Sequence, residues 1–305
     1  MSALIRITRA GPMATIQDSG RFGALHHGIS ASGPMDRGAF ERAGAAIANP
    51  GPEGIEFTRA GLAFTVAEGH FRARGEGGAF SLSVNGSPRD WPADLGLGAG
   101  DTIDITPGPA GNYGYLRFDH TIDVPIVIGS RATNLVAGLG GLDGRALKRG
   151  DSIVLTPVAG RGEVSVVPPA HRLVEDGPIR FVWGLHADLF APPVRQAFLD
   201  ANFVVSTRLD RMGVRLDDPS GVFAGAPILS LVSDAIVPGD MQILGDGTPI
   251  VLMRDHQPTG GYPRIATVIT ADLDRFAQMR PGTALAFAPV TLHKARTLYL
   301  ASLRA

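Results

Sequence analysis

The chain has no cysteine. Disulfides, thiolate nucleophiles and cysteine metal ligands are therefore excluded, and the absence suits a reducing compartment. Long apolar runs are missing too. No stretch approaches the roughly 18 apolar residues that a membrane span requires, and Met1-Ser2-Ala3-Leu4-Ile5-Arg6-Ile7 lacks the apolar segment of a secretory signal. Neither sign of charge is in excess, the formal balance being −1, so no broad attraction to nucleic acid or anionic lipid is expected. The reading is a cytoplasmic protein with neither a nucleic-acid nor a membrane partner. The histidines include no His-x-x-x-His pair, and adjacent His26 and His27 would point to opposite faces of a strand, so no metal site is predicted.

What the chain has in plenty is glycine, 40 residues, and proline, 23. Both are scattered between short apolar runs, as in a fold of many short strands and tight turns. A length of 305 residues suggests two domains, each able to bury its own core.

Phe80-Ser81-Leu82-Ser83-Val84 alternates strictly and runs into Asn85-Gly86, a strand entering a hairpin turn. Gly100-Asp101-Thr102-Ile103-Asp104-Ile105-Thr106-Pro107 is echoed by Gly150-Asp151-Ser152-Ile153-Val154-Leu155-Thr156-Pro157 and, more faintly, by the segment 282–289. In each, glycine turns, an alternating strand follows and proline ends it, a repeated β-barrel device. Helices are few. One is predicted over 34–48, with Pro34 at its first position, one over 271–279 with Thr270 as its cap, and one over 193–200. The stiff connector 166–173 predicts a boundary. The domains are then 1–175, 176–290 and a basic tail, 291–305.

Asp255-His256-Gln257-Pro258-Thr259-Gly260-Gly261-Tyr262-Pro263 crowds an acid, an imidazole, an amide, a hydroxyl and a phenol between the apolar runs 249–253 and 265–269. A polar loop held between buried strands is a favourable place for function; a tight turn whose polar groups satisfy one another is the plainer reading. Four other clusters share its grammar of a charged or amide group beside glycine at a strand end. They are Gln17-Asp18-Ser19-Gly20-Arg21, Ser32-Gly33-Pro34-Met35-Asp36, Gly129-Ser130-Arg131-Ala132-Thr133 after the apolar run 124–128, and Asp210-Arg211-Met212-Gly213-Val214-Arg215. Singly, each has an ordinary explanation as a surface ion pair or a helix start. The glycine-rich run 138–144 lacks the Gly-Lys-Ser/Thr ending of a phosphate loop, and no serine lies in a Gly-x-Ser-x-Gly elbow.

Taken in order, these clusters, with Ile122-Asp123-Val124-Pro125 and Ile265-Ala266-Thr267-Val268-Ile269, resemble one pattern. It is that of the biotin-dependent carboxyltransferase family, of the kind found in the C-type subunit of 5-oxoprolinase or in allophanate hydrolase subunit 2, related to urea amidolyase. The resemblance covers about residues 4 to 290. It implies a mainly β fold of two cyclophilin-like β-barrel units with a few short helices, and a B-type subunit as partner, with an A-type subunit possible. It also implies an enzyme acting on a small planar amide-like substrate. The favoured activity is ATP-dependent 5-oxoprolinase, as the commoner role of a free-standing chain of this length. The alternatives are transfer from carboxybiotin, on a separate carrier, to urea or a related amide or amidine, and a regulatory module without catalysis.

On that resemblance Asp18, Arg21, Asp36, Arg131, Asp210 and Arg211 are the expected catalytic residues. Gln17, Ser130, Gln257, Thr259, Gly260, Gly261 and Tyr262 are expected to bind substrate, all of them lining one cavity. Three departures stand out: Arg117-Phe118-Asp119-His120-Thr121 where small residues are expected, Pro258 in place of threonine, and an altered segment 233–238.

Overall fold

A computed structural model describes residues 1–159, 177–225 and 230–303. The connector 166–173 and the boundary near 175 lie outside them. The chain divides into two compact units, Met1–Ala24 with Ala31–Leu173, and Leu25–Ser30 with Val174–Ala305.

In the first unit, one antiparallel sheet runs in the spatial order His120–Ile122, Ser152–Pro157, Ala3–Ala10, Leu62–Glu68, Thr102–Pro107, Phe80–Val84, Ser87–Arg89. A second runs Thr15–Gln17, Gly54–Thr58, Tyr113–Phe118, His70–Gly77, Ala93–Gly98. Side chains alternate across a strand, so Ile5 and Ile7, Phe64 and Val66, Ile103 and Ile105 face one way. They meet Ile55, Phe57, Phe71, Leu95, Leu116 and Phe118 from the other sheet in a single buried cluster. The predicted hairpin is present: Asn85 and Gly86 both have positive φ, 54° and 76°, and Val84 pairs with Ser87. That is the turn whose twist suits a two-residue loop.

The echoed segments share a device. Asp101 and Asp151 each accept a backbone N–H from three residues back, Gly98 and Lys148, both at 2.8 Å. The turn is thereby closed before the strands Thr102–Pro107 and Ser152–Pro157 begin.

In the second unit an eight-stranded sheet runs Ala284–Leu285, Phe203–Leu209, Gly213–Asp217, Pro249–Leu252, Asp240–Ile243, Arg264–Val268, Ile179–Trp183, Phe287–Pro289. Its two edges are consecutive in the chain, so the sheet curls into a nearly closed barrel and leaves little edge to pair elsewhere. Val205, Val214, Leu216, Met241, Val251 and Ala266 are buried inside it. Phe198 stacks on Phe287 with ring centroids 5.4 Å apart. The molecule is thus mainly β with barrel-type sheets and short helices. Among the described residues no helix is long and apolar enough to cross a membrane.

Four α-helices are present among the described residues. α1, Arg37–Ala45, starts later than predicted: Asp36, not Pro34, ends the loop, its carboxylate accepting the Ala39 N–H at 2.8 Å. α2 spans Pro192–Asp200 and α3 Thr270–Ala277. Ile269 takes the cap position of α3 and Thr270 is its first helical residue, which corrects the predicted cap. α4, Leu292–Ser302, occupies the expected tail, with Thr291 accepting from Lys294 N. His26 and His27 are in a short 3-10 turn rather than a strand, their ring centroids 3.9 Å apart.

Candidate functional site

Gln17, Asp18, Arg21, Asp36, Ser130 and Arg131 belong to the first unit; Asp210, Arg211, Gln257, Thr259, Gly260, Gly261 and Tyr262 belong to the second.

In the first unit the strand Thr15–Gln17 delivers two loops to the segment 127–134. Buried Gln17 donates to Thr15 Oγ1 and to the Thr133 carbonyl, both at 3.0 Å, and accepts from Gly33 N at 3.1 Å. Asp18 accepts three donors: Gly20 N, Ser130 Oγ at 2.7 Å and Arg131 N at 2.6 Å. Arg21, 1 % exposed, donates to the Val127, Ser130 and Ala132 carbonyls. Arg131 donates to the Val124 carbonyl and, at 2.6 Å, to Glu53. Burial raises the Glu53 carboxyl above the ordinary carboxylate range, with the Arg131 charge opposing. The run 124–128 is not a strand: Ile126 and Ile128 are exposed, and Val127 forms only a local bridge to Ser130. The structure thus joins the first-unit clusters into one network in which polar groups hold loops in place. Asp36 caps α1 while its N–H donates to Tyr115 Oη.

Sequence reading missed the acids behind this network. Glu53 ends the approach to the strand Gly54–Thr58, and Glu56 lies within it, wholly buried. Glu56 accepts from Tyr115 Oη at 2.9 Å and Met35 N at 2.8 Å. Burial, with the nearby Glu56 and Asp36 charges, pushes the Tyr115 phenol far up. The only sequence signal was an acid inside an otherwise apolar strand. The departure at 117–121 is also internal. Arg117 donates to the Glu53, Phe40 and Gly51 carbonyls and lies over the Phe40 ring, 4.1 Å from its centroid; burial lowers its pKa to about 10. His120 and Asp119 bond one another at 2.6 Å.

In the second unit the loop 255–263 is pinned from both sides. Arg211 and Asp255, 2 % and 1 % exposed in their side chains, form a two-point ion pair at 2.9 and 3.1 Å. Asp255 N also donates to the Arg211 carbonyl. His256 is buried, its Nδ1–H donating to the Gln257 carbonyl at 2.6 Å, and burial depresses its pKa. Thr259–Gly260 pairs with Asp234–Ala235 as a short ribbon, and Leu231 N donates to the Gly261 carbonyl. The altered segment is thus the support of this loop. Arg264 ties the two together through Asp234, Asp240 and the Ala235 carbonyl.

A cavity of about 520 Å³ opens on the outer face of the barrel sheet. Register explains its lining. Val214, Val251 and Met241 pair across three strands and point inward. Their neighbours Arg215, Ile250 and Gln242 pair in the next row and must point outward. Those three line the cavity with Asp210, Gln257 and Tyr262 from the loops, and with Arg208 from the adjoining strand. The expected Asp210, Gln257 and Tyr262 therefore come together. Arg211 is instead spent on Asp255 beneath, and Arg208 and Arg215 supply the cavity's guanidinium groups. Asp210 Oδ1 accepts from Met212 N and Gly213 N, which turns the chain between the two strands. Among the described residues no cluster of histidines and acids could hold a metal ion.

Comparison with known proteins agrees with the mainly β fold. Residues 27–289 match the family described as carboxyltransferase domain, subdomain A and B. The chain is 33 % identical to the C-type subunit of the Escherichia coli 5-oxoprolinase over 96 % of its own length and 93 % of that protein. It is 29 % identical to the urea amidolyase of Lachancea kluyveri, covering 96 % of this chain but 17 % of the larger protein. The solved structure of the Kluyveromyces lactis urea carboxylase superposes with a TM-score of 0.87 at 25 % identity, covering 99 % of this chain and 28 % of that one. The chain belongs to the carboxyltransferase family, subdomain A and B.

Proposed function

We propose that the chain is the C-type subunit of an ATP-dependent 5-oxoprolinase, which opens 5-oxo-L-proline to glutamate together with a B-type partner. The observation that carries this reading is the cavity's set of groups, taken with the 33 % identity to the C-type subunit of a 5-oxoprolinase. A cyclic amide offers one carbonyl oxygen and one N–H in a plane. Tyr262 and the Gln257 amide donate to the oxygen. Asp210 Oδ2, which has no partner among the described residues, accepts the N–H. Donors aimed at the amide oxygen stabilise the charge that gathers there as the ring is activated.

ATP is assigned to the complex rather than to a cradle in this chain. The glycine-rich run 138–144 is packed on itself and its neighbours: a Cβ on Gly140 would lie 2.1 Å from the Ala132 carbonyl oxygen, and one on Gly141 2.0 Å from Thr133 Oγ1. At 140 and 141 the missing Cβ permits close approach of the Ala132 carbonyl and the Thr133 side chain, whereas a Cβ on Gly138 would meet nothing within 4 Å. In the first unit, Asp18, Arg21, Asp36 and Arg131 act by holding loops.

The test is co-purification with the B-type and A-type subunits, followed by an assay of ATP hydrolysis with and without 5-oxoproline. Stimulated hydrolysis with glutamate released is the expected result. Urea-dependent consumption of carboxybiotin in its place would establish the carboxyltransferase alternative. A complex that forms and does neither would leave a regulatory module.

A further inference from the structure

The cavity holds a cation with no assigned work. Arg215 is half-buried, lines the cavity, and its guanidinium makes no ion pair or hydrogen bond among the described residues. Arg211 is engaged by Asp255, Arg131 by Glu53, and Arg264 by Asp234 and Asp240, whereas Arg208, more exposed than Arg215, makes only a long 4.0 Å contact with Asp217. Holding such a group against a cavity wall without an anion forgoes a charge-assisted hydrogen bond, the stronger kind in proteins. Arg215 also stands at one end of the row Arg215–Ile250–Gln242. Strands lie about 4.8 Å apart, so the ends of that row are separated by roughly 10 Å, with apolar Ile250 between them. A guanidinium beside an apolar floor, with Gln257 and Tyr262 also lining the cavity, suits a small amide ligand with an anionic end.

We propose that Arg215 binds the carboxylate of a small cyclic amide acid and so makes this cavity select an anionic lactam over a neutral amide or urea. This rests on the proposed function in taking the cavity as the substrate site, and it adds the residue that discriminates. Arg215 forms a forked pair with the carboxylate, while Gln257 and Tyr262 hold the amide.

The experiment is calorimetric titration of the full chain with 5-oxoproline and with pyrrolidin-2-one, the same ring without the carboxylate. The wild type is expected to bind the acid at least about tenfold more tightly, as one charge-assisted pair implies. Arg215→Met is expected to abolish that preference and leave pyrrolidin-2-one binding unchanged. Arg215→Lys, which keeps charge but not the fork, should fall between. Arg215→Gln carries the test where methionine disturbs folding, as checked by circular dichroism. A wild-type chain that does not favour the acid, or an Arg215→Met or Arg215→Gln chain that still does, overturns the assignment even where the complex hydrolyses 5-oxoproline. Preference for the acid that depends on Arg215, in a chain whose complex shows no 5-oxoproline turnover, would sink the proposed activity and keep the anion site.

Discussion

The Gln242 side chain stands against Gly260, so closely that a Cβ at position 260 would lie 2.3 Å from Gln242 Nε2. The motif's first glycine thus makes room for a residue on a different strand, itself 1 % exposed and with no partner for Nε2 among the described residues.

The two adjacent glycines should therefore respond differently. Gly260→Ala meets the far end of a flexible side chain, which can swing away, so a stability loss under about 1 kcal/mol is expected. Gly261→Ala would put its Cβ 2.8 Å from the Leu231 carbonyl oxygen, in the supporting backbone. That backbone must shift, costing about 1–3 kcal/mol. Urea denaturation of both variants checks the order, and equal losses would contradict it.

Arg211 and Asp255 are a buried pair, so removing one partner strands the other. Asp255→Ala is expected to cost about 3–5 kcal/mol, whereas Arg211→Met with Asp255→Leu together should recover much of it. A double-mutant cycle by denaturant unfolding reads the coupling. A single variant as stable as wild type would show the pair to be idle.

Stability of the second unit should fall on mild acidification. His256 and His186 both have pKa values held below the ordinary 6.5, in each case mainly by burial. In the unfolded chain both regain the ordinary value, so just below it the unfolded state binds more protons than the fold. Their contribution is fully present above pH 6.5 and is lost as pH falls from there through the depressed folded values. Melting temperature measured between pH 8 and pH 5 should decline, and His256→Gln should flatten part of the slope. An unchanged slope in that variant would remove His256 from the account.

Arg131 and Tyr262 separate holding from contacting. Arg131→Ala leaves buried Glu53 without its cation, so the first-order effect is lost stability, about 3 kcal/mol or more. Tyr262→Phe touches an exposed side chain at the cavity mouth, and stability should stay within about 0.5 kcal/mol. Turnover of the assembled complex should drop about two- to tenfold for the loss of one neutral hydrogen bond. Full turnover in Tyr262→Phe would take the phenol out of the site.

Local pattern carried much of this fold. Alternation in 80–84 and Asn85-Gly86 named a hairpin because side-chain period and turn geometry are properties of a few consecutive residues. The loop 255–263 was legible for a similar reason: its mixture of polar groups between apolar strands is visible in one stretch. Arg211 is packed on Asp255 while Arg215 lines the cavity; both lie in one short segment of equal charge, and only strand register says which faces outward. Glu53 and Glu56 were passed over since nothing nearby in sequence reveals that Arg131 and Tyr115 reach them.

By itself the sequence determined the strands, the turns and the family, because backbone preference, side-chain alternation and motif order are written along the chain. Only the tertiary structure decided which charges are used up and which remain open. Burial and pairing depend on what arrives from distant strands, as Asp255 does for Arg211 and no described residue does for Arg215.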